Sequence, residues 1–177
     1  SIQNAVSKCA SLCPDVEFIA TDATRSEQSF LTQVIKTAIE AGATTVTVYD
    51  NAATMMPDEL SAFLTDLRTN TPALEKVSLG ICCENKYGMA LAATVSAIKA
   101  GAQEVKTAVG DALSPSLDGF AAILRDCGDR EGICASLKFT EMRRITKQIE
   151  WIVDQRGEGT SAGRASSEAD VAEQEIA

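Results

Sequence analysis

The sequence predicts an α/β fold built on a parallel sheet, and three observations predict it. Short β-rich runs alternate with segments of helical period along most of the chain, the pattern of parallel strands joined by crossover helices. The segments AIEAGATTVTV, from Ala38, and AIKAGAQEVKT, from Ala97, match at an offset of 97 − 38 = 59 residues. A (β/α)8 barrel spends about 31 residues on each unit, so that offset is two units, and alternate strands of a barrel fill the same interior layers. Finally, neither GxGxxG nor the GxxxxGKS/T loop occurs, and a glycine-rich turn of that kind marks the usual doubly wound alternative.

The elements follow in order. Residues Ile2–Leu12 read as the end of a helix, and VEFIAT (Val16–Thr21) as the first strand. FLTQVIKTAIEAG places Phe30, Leu31, Val34, Ile35, Ala38 and Ile39 on one helical stripe, which Gly42 ends. TTVTVYD (Thr44–Asp50) is the second strand. Pro57 opens the next helix, with Asp58 and Glu59 at the positive end of its dipole and Leu60, Phe63, Leu64 and Leu67 as its core face. KVSLGICC (Lys76–Cys83) is the third strand; a helix from about Tyr87 to Ala100 buries Leu91, Val95 and Ile98 and stops at Gly101. EVKTAV (Glu104–Val109) is the fourth strand. Ser114-Pro115 starts a helix that Gly128 caps, and a last helix near Thr140 buries Met142, Ile145, Ile149 and Ile152. Four βα units are half of a TIM barrel, with VEFIAT and EVKTAV as open edges. Completion is expected by self-association, giving a homo-oligomer, or by a chain supplying the first four barrel strands. Residues 1–153 form this half-barrel domain, and 154–177 read as a flexible acidic tail rich in Gly, Ser and Ala.

Composition narrows the function. The chain has 177 residues, 45% of them hydrophobic, enough for one domain with a core. A net charge of -9 argues against nucleic acid or anionic membrane as partner, and no apolar run reaches the ~20 residues of a membrane span. Histidine is absent, which excludes Ser-His-Asp, Cys-His and HExxH chemistry. The six cysteines form no CxxC and no secretory segment is present, so free thiols and a cytoplasmic setting are expected.

Five motifs carry a resemblance: DATRS (Asp22–Ser26), AIEAGATTVTVYD (Ala38–Asp50), MPDEL (Met56–Leu60), KVSLGICCENKYGMALA (Lys76–Ala92) and AIKAGAQEVKTAVG (Ala97–Gly110). From about Asn4 to Val153 the chain resembles the second half of the catalytic barrel of 2-isopropylmalate and homocitrate synthases. The resemblance implies a metal-dependent enzyme that condenses acetyl-CoA with a 2-oxo acid, the divalent metal (Zn, Mn or Mg) polarising the ketone. It also implies which positions match the former active site: Thr21, Asp22, Arg25, Asp50, Asn51, Cys82, Glu84 and Asn85. Where the family has His-x-His-Asn-Asp, with both histidines on the metal, this chain has Cys82-Cys83-Glu84-Asn85-Lys86. Where the family has Asp-Thr it has Asp50-Asn51, and Thr21 replaces a glutamate. The Gly-Glu-Arg-Ala-Gly-Asn loop is shortened to Gly110–Pro115.

Scaffold residues match while chemistry residues do not. The expectation is a non-catalytic relative with no catalytic residue and no cofactor. Its alternative is a portion of an active condensing acyltransferase completed by another polypeptide, and a small-molecule binding module is a third. The residues themselves offer one weak metal set, since i and i+2 share a strand face: Cys82 and Glu84, with Asp50 as third donor. Asp22 and Arg25 are read as a structural pair at a strand-to-helix turn, and Lys86 as a solvated lysine at a helix start.

Overall fold

A computed structural model describes residues 1–111, 113–153 and 155 of the chain. These fall into two compact units, Ser1–Ile133 and a second that begins at Cys134. The first unit runs α1 (Ile2–Ala10), β1 (Glu17–Ala20), α2 (Gln28–Glu40), β2 (Thr45–Asp50), α3 (Pro57–Asn70), β3 (Ser78–Cys83), α4 (Ala90–Lys99), β4 (Glu104–Val105) and α5 (Leu117–Glu131). Its sheet has the order β1-β2-β3-β4, and every pairing is parallel. This is the α/β alternation the sequence predicts.

The two sheet faces differ in kind. Val46, Val48, Leu79, Ile81 and Cys83 pack with Leu31, Ile35, Leu60, Leu64 and Leu67 of the helices in one buried cluster. Because side chains alternate along a strand, the opposite face carries Glu17 and Ile19, then Thr45, Thr47 and Tyr49, then Ser78, Gly80 and Cys82, then Glu104. That face is mostly polar. Gly80 leaves room there: a Cβ on it would stand 2.1 Å from the Thr47 hydroxyl oxygen.

Elements end where local chemistry ends them. The Glu27 carboxylate accepts from the Ser29 and Phe30 amides and so starts α2 two residues before the apolar stripe. Phe30 is therefore on the outer side of the first turn and 63% exposed, not on the core face. Helix α3 begins at Pro57 as expected, with the Glu59 carboxylate accepting from the Met56 amide. Helix α4 begins at Ala90, later than expected, and its buried face is Ala90, Ala93, Thr94 and Ala97. Leu91, Val95 and Ile98 are only half-buried, because small side chains let α4 approach the sheet and put the larger ones to the flanks. Strand β4 has two residues rather than six; beyond it the Lys106 amide still donates to the Ile81 carbonyl at 2.9 Å, and an isolated parallel bridge joins Ala108 to Ser116.

Helix α5 passes through Gly128 and ends at Gly132, whose φ of 68° suits glycine. Gly128 is instead buried in the helix, where a Cβ would stand 2.8 Å from the Ile133 carbonyl oxygen.

In the second unit residues 139–153 are helical. Ile145, Ile149 and Ile152 are 48%, 38% and 48% exposed, so the expected burial of this face does not hold. A helical period identifies an apolar face but not a surface that covers it. The tail expected over 154–177 lies outside the described residues, Gln155 apart.

Candidate functional site

The loops leaving β1, β2 and β3 meet at the carboxyl ends of the strands, the end where barrel enzymes hold their sites. Two side chains at the end of β2 organise the meeting. Asp50 is 2% exposed and pairs in register with Cys83, which places it on the helix-facing side. Its Oδ1 accepts from the Thr24 hydroxyl at 2.6 Å and from the Ala53 amide at 3.1 Å. Asn51 follows on the opposite side, and its Oδ1 accepts from the Asp22 amide at 2.6 Å. The two loops are thus pinned together by one side chain-to-backbone bond, Asn51 to Asp22, and one side chain-to-side chain bond, Asp50 to Thr24. Both pinned amides belong to residues with left-handed backbone, Asp22 at φ 56° and Ala53 at φ 53°. Aspartate tolerates that region; alanine does so at a cost, which the Asp50 bond helps offset.

Asp22 also receives a bidentate pair from Arg25, Nε to Oδ1 at 2.8 Å and Nη2 to Oδ2 at 2.6 Å. Those bonds hold its carboxyl below the usual carboxylate range, and the nearby positive charge of Lys86 adds to the effect. The expected structural pairing of Asp22 and Arg25 is what the geometry has.

On the concave side, Cys82 and Glu84 stand next to Tyr49 and Asn51. The Tyr49 hydroxyl and the Asn51 side-chain amide, at 3.3 Å, both donate to Glu84 Oε1. The Lys86 ammonium lies 3.2 Å from Glu84 Oε2 and donates to the Asn51 carbonyl oxygen at 2.6 Å. Lys86 is exposed, as the sequence suggests, but it precedes the start of α4 at Ala90 and is tied to Glu84 and Asn51. Asn85 turns the other way: its Oδ1 accepts from the Ala90 amide at the start of α4, and its own amide donates to the Leu113 carbonyl. Thr21 is exposed at the end of β1.

The thiols are not poised for nucleophilic work. Burial pushes Cys82 up, the negative charge of Glu84 adds to that, and a hydrogen bond with Tyr49 opposes it. Burial pushes Cys83 up to about 12. A thiolate nucleophile needs the opposite shift. Tyr49 is raised as well, by burial and by Cys82 and Glu84 beside it. The sequence reading missed Tyr49, although its place two residues before Asn51 puts both on one strand face.

The metal that the resemblance implies would need these donors to converge. Of Cys82, Glu84 and Asp50, only the first two face the concave side, and Asp50 is committed to Thr24 and Ala53. Among the described residues no group of three or more Cys, Asp or Glu is arranged to hold a metal ion. The donor set does not fit the group.

Comparison with known proteins gives the family. The HMGL-like family model matches residues 1–112. The chain belongs to the HMGL-like family. Its relatives within that family include a probable 2-isopropylmalate synthase of Glycine max, 32% identical over 144 residues, covering 78% of this chain and 26% of that protein. A 2-isopropylmalate synthase of Caulobacter vibrioides is 31% identical over 156 residues, covering 86% of this chain and 30% of that protein. The chain thus spans roughly a quarter to a third of the length of these HMGL-like relatives. Among solved structures, the carboxyl transferase domain of Rhizobium etli pyruvate carboxylase superposes with a TM-score of 0.62 at 20% identity, over 86% of this chain and 26% of that one. That likeness concerns the fold, a TIM barrel.

Proposed function

We propose that this chain is the second half of the barrel in a non-catalytic member of the 2-isopropylmalate/homocitrate synthase family. The observation that carries the reading is the orientation of Asp50. A catalytic zinc takes three donors from protein, and the one candidate beyond Cys82 and Glu84 is turned to the helix side and bonded there. The positions that match the family's metal histidines then hold a thiol raised by burial and a carboxylate already engaged by Tyr49, Asn51 and Lys86.

The open sheet edges support a structural role. Strands β1 and β4 are terminal in the sheet, and Ile19 on the concave face is 46% exposed. Pairing with four further strands would satisfy both edges. Those strands come from the same polypeptide, from a partner chain, or from a second copy. No described helix is long and apolar enough to cross a membrane.

The test is an assay of thiol release from acetyl-CoA with 2-oxoisovalerate in the presence of Zn2+, Mn2+ or Mg2+. No turnover above the protein-free rate is expected. Metal-stimulated thiol release by the purified chain would refute the reading and favour the active acyltransferase alternative.

A further inference from the structure

The disagreement between this site and a divalent metal has a second half, which is what fills the place instead. We propose that Lys86 is a built-in cation: its ammonium performs the cross-linking that a metal ion would, and it excludes one. This rests on the reading that Cys82 and Glu84 occupy former ligand positions.

The geometry supports it in three ways. The Lys86 ammonium contacts two oxygens from different strand ends, Glu84 Oε2 after β3 at 3.2 Å and the Asn51 carbonyl after β2 at 2.6 Å. That is the bridging pattern of a bound cation, made by a side chain with donors and no acceptor. Its field also reaches the loop after β1, since it helps lower the Asp22 carboxyl. Two consecutive loops therefore converge on one positive charge. Secondly, the charges balance within the cluster. Asp22 is matched by Arg25 and Glu84 by Lys86, so a divalent ion would approach a set whose charges are already paired. Thirdly, the remaining acceptor is spent. Glu84 Oε1, which does not face Lys86, takes donors from Tyr49 and Asn51.

If the ammonium is what keeps a metal out, removing it should uncover a weak two-donor site at Glu84 and Cys82. Replacing it with a carboxylate should make that site stronger. The experiment titrates Mn2+ into the wild-type chain and the Lys86→Asp and Lys86→Met variants, followed by calorimetry and by the loss of free Mn2+ signal in electron paramagnetic resonance. Wild type is expected to take up no Mn2+ at about 1 mM, and Lys86→Asp to bind at least about tenfold more tightly. Adding Glu84→Gln to Lys86→Asp should abolish the gain. Lys86→Met, which keeps the aliphatic stem, decides the matter if circular dichroism shows that Lys86→Asp does not fold. Two results would overturn the proposal: Mn2+ binding by wild type equal to that of the variants, or folded variants that gain nothing. Thiol release by wild type without bound Mn2+ would defeat the non-catalytic reading and leave the role of Lys86 intact, so the two failures are distinct.

Discussion

Lys106, just beyond β4, places its ammonium 2.7 Å from Glu17 Oε1 on β1. The two ends of the four-stranded sheet are therefore linked by a salt bridge across the concave face. In a flat sheet two strands lie between them at about 4.8 Å spacing, too far for a lysine to span comfortably, so the pair records strong curvature of the sheet. Thr47 donates to the same Glu17 carboxylate from β2, and Glu104 lies 3.6 Å from the lysine. Gly80 of β3 contributes no side chain to obstruct them.

Breaking this link should loosen the sheet. Lys106→Met is expected to cost about 1 kcal/mol, since the pair is partly exposed and screened by solvent. Urea denaturation measures it. In a double-mutant cycle with Glu17→Gln the coupling should fall as salt rises.

The same pair sets a pH dependence. At Glu17 burial alone would raise the carboxyl, but hydrogen bonds from Lys106 and Thr47 outweigh it, and the carboxyl lies below its ordinary 4.5. A carboxyl lowered in the folded state contributes stability that is present above about 4.5 and is lost as pH falls through the lowered value. Lys106 is raised above 10.5: burial opposes this, and Glu17 and Glu104 prevail. Its contribution is present below 10.5 and is lost as pH rises through the raised value. Thermal unfolding from pH 2 to 6 should therefore show a steeper acid decline in wild type than in Glu17→Gln.

Gly80→Ala should be strongly destabilising for its size. The new Cβ would lie 2.1 Å from the Thr47 hydroxyl oxygen, and such overpacking costs about 1–3 kcal/mol. Thr47→Ala removes the hydroxyl, so the double variant should recover part of the loss in Tm. Failure of any recovery would place the strain elsewhere.

Asp50 should behave as a structural acid. Asp50→Ala leaves the Thr24 hydroxyl and the Ala53 amide without their acceptor and should cost about 2–3 kcal/mol. Asp50→Asn keeps an acceptor and should cost less. Neither should change Mn2+ binding by the Lys86→Asp variant.

Thiol labelling ranks the cysteines. Cys9, Cys13 and Cys134 are exposed, Cys82 is partly covered and Cys83 is buried. Iodoacetamide near neutral pH should modify the first three quickly, Cys82 slowly, and Cys83 only on unfolding, because burial holds its thiol up to about 12. Mass mapping over a time course reads the order.

Much of this was legible in the sequence, and the parts that were not share a cause. Strand and helix alternation, Pro57 at the start of α3 and the pairing of Cys82 with Glu84 on one face follow from local period and propensity, which a single segment carries. The side of Asp50 is legible from the alternation Val46, Val48, Asp50 along β2, whereas its bond to Thr24 is not, because Thr24 lies on another loop. The bond from Lys86 to Asn51 is not visible in sequence because the two are 35 residues apart. The small-residue face of α4 was hidden because larger Leu91, Val95 and Ile98 make the more conspicuous stripe, while close approach to the sheet selects Ala93 and Ala97. Gly128 resembles a helix stop in sequence, and only the contact with Ile133 shows it as a packing glycine.

The most direct measurement is an anomalous-difference map from crystals of the wild-type chain soaked in Mn2+. The result expected is Lys86 bridging Glu84 and the Asn51 carbonyl, with no manganese peak at Cys82 and Glu84. A manganese ion held by those two residues, with Lys86 swung out to solvent, would contradict the account.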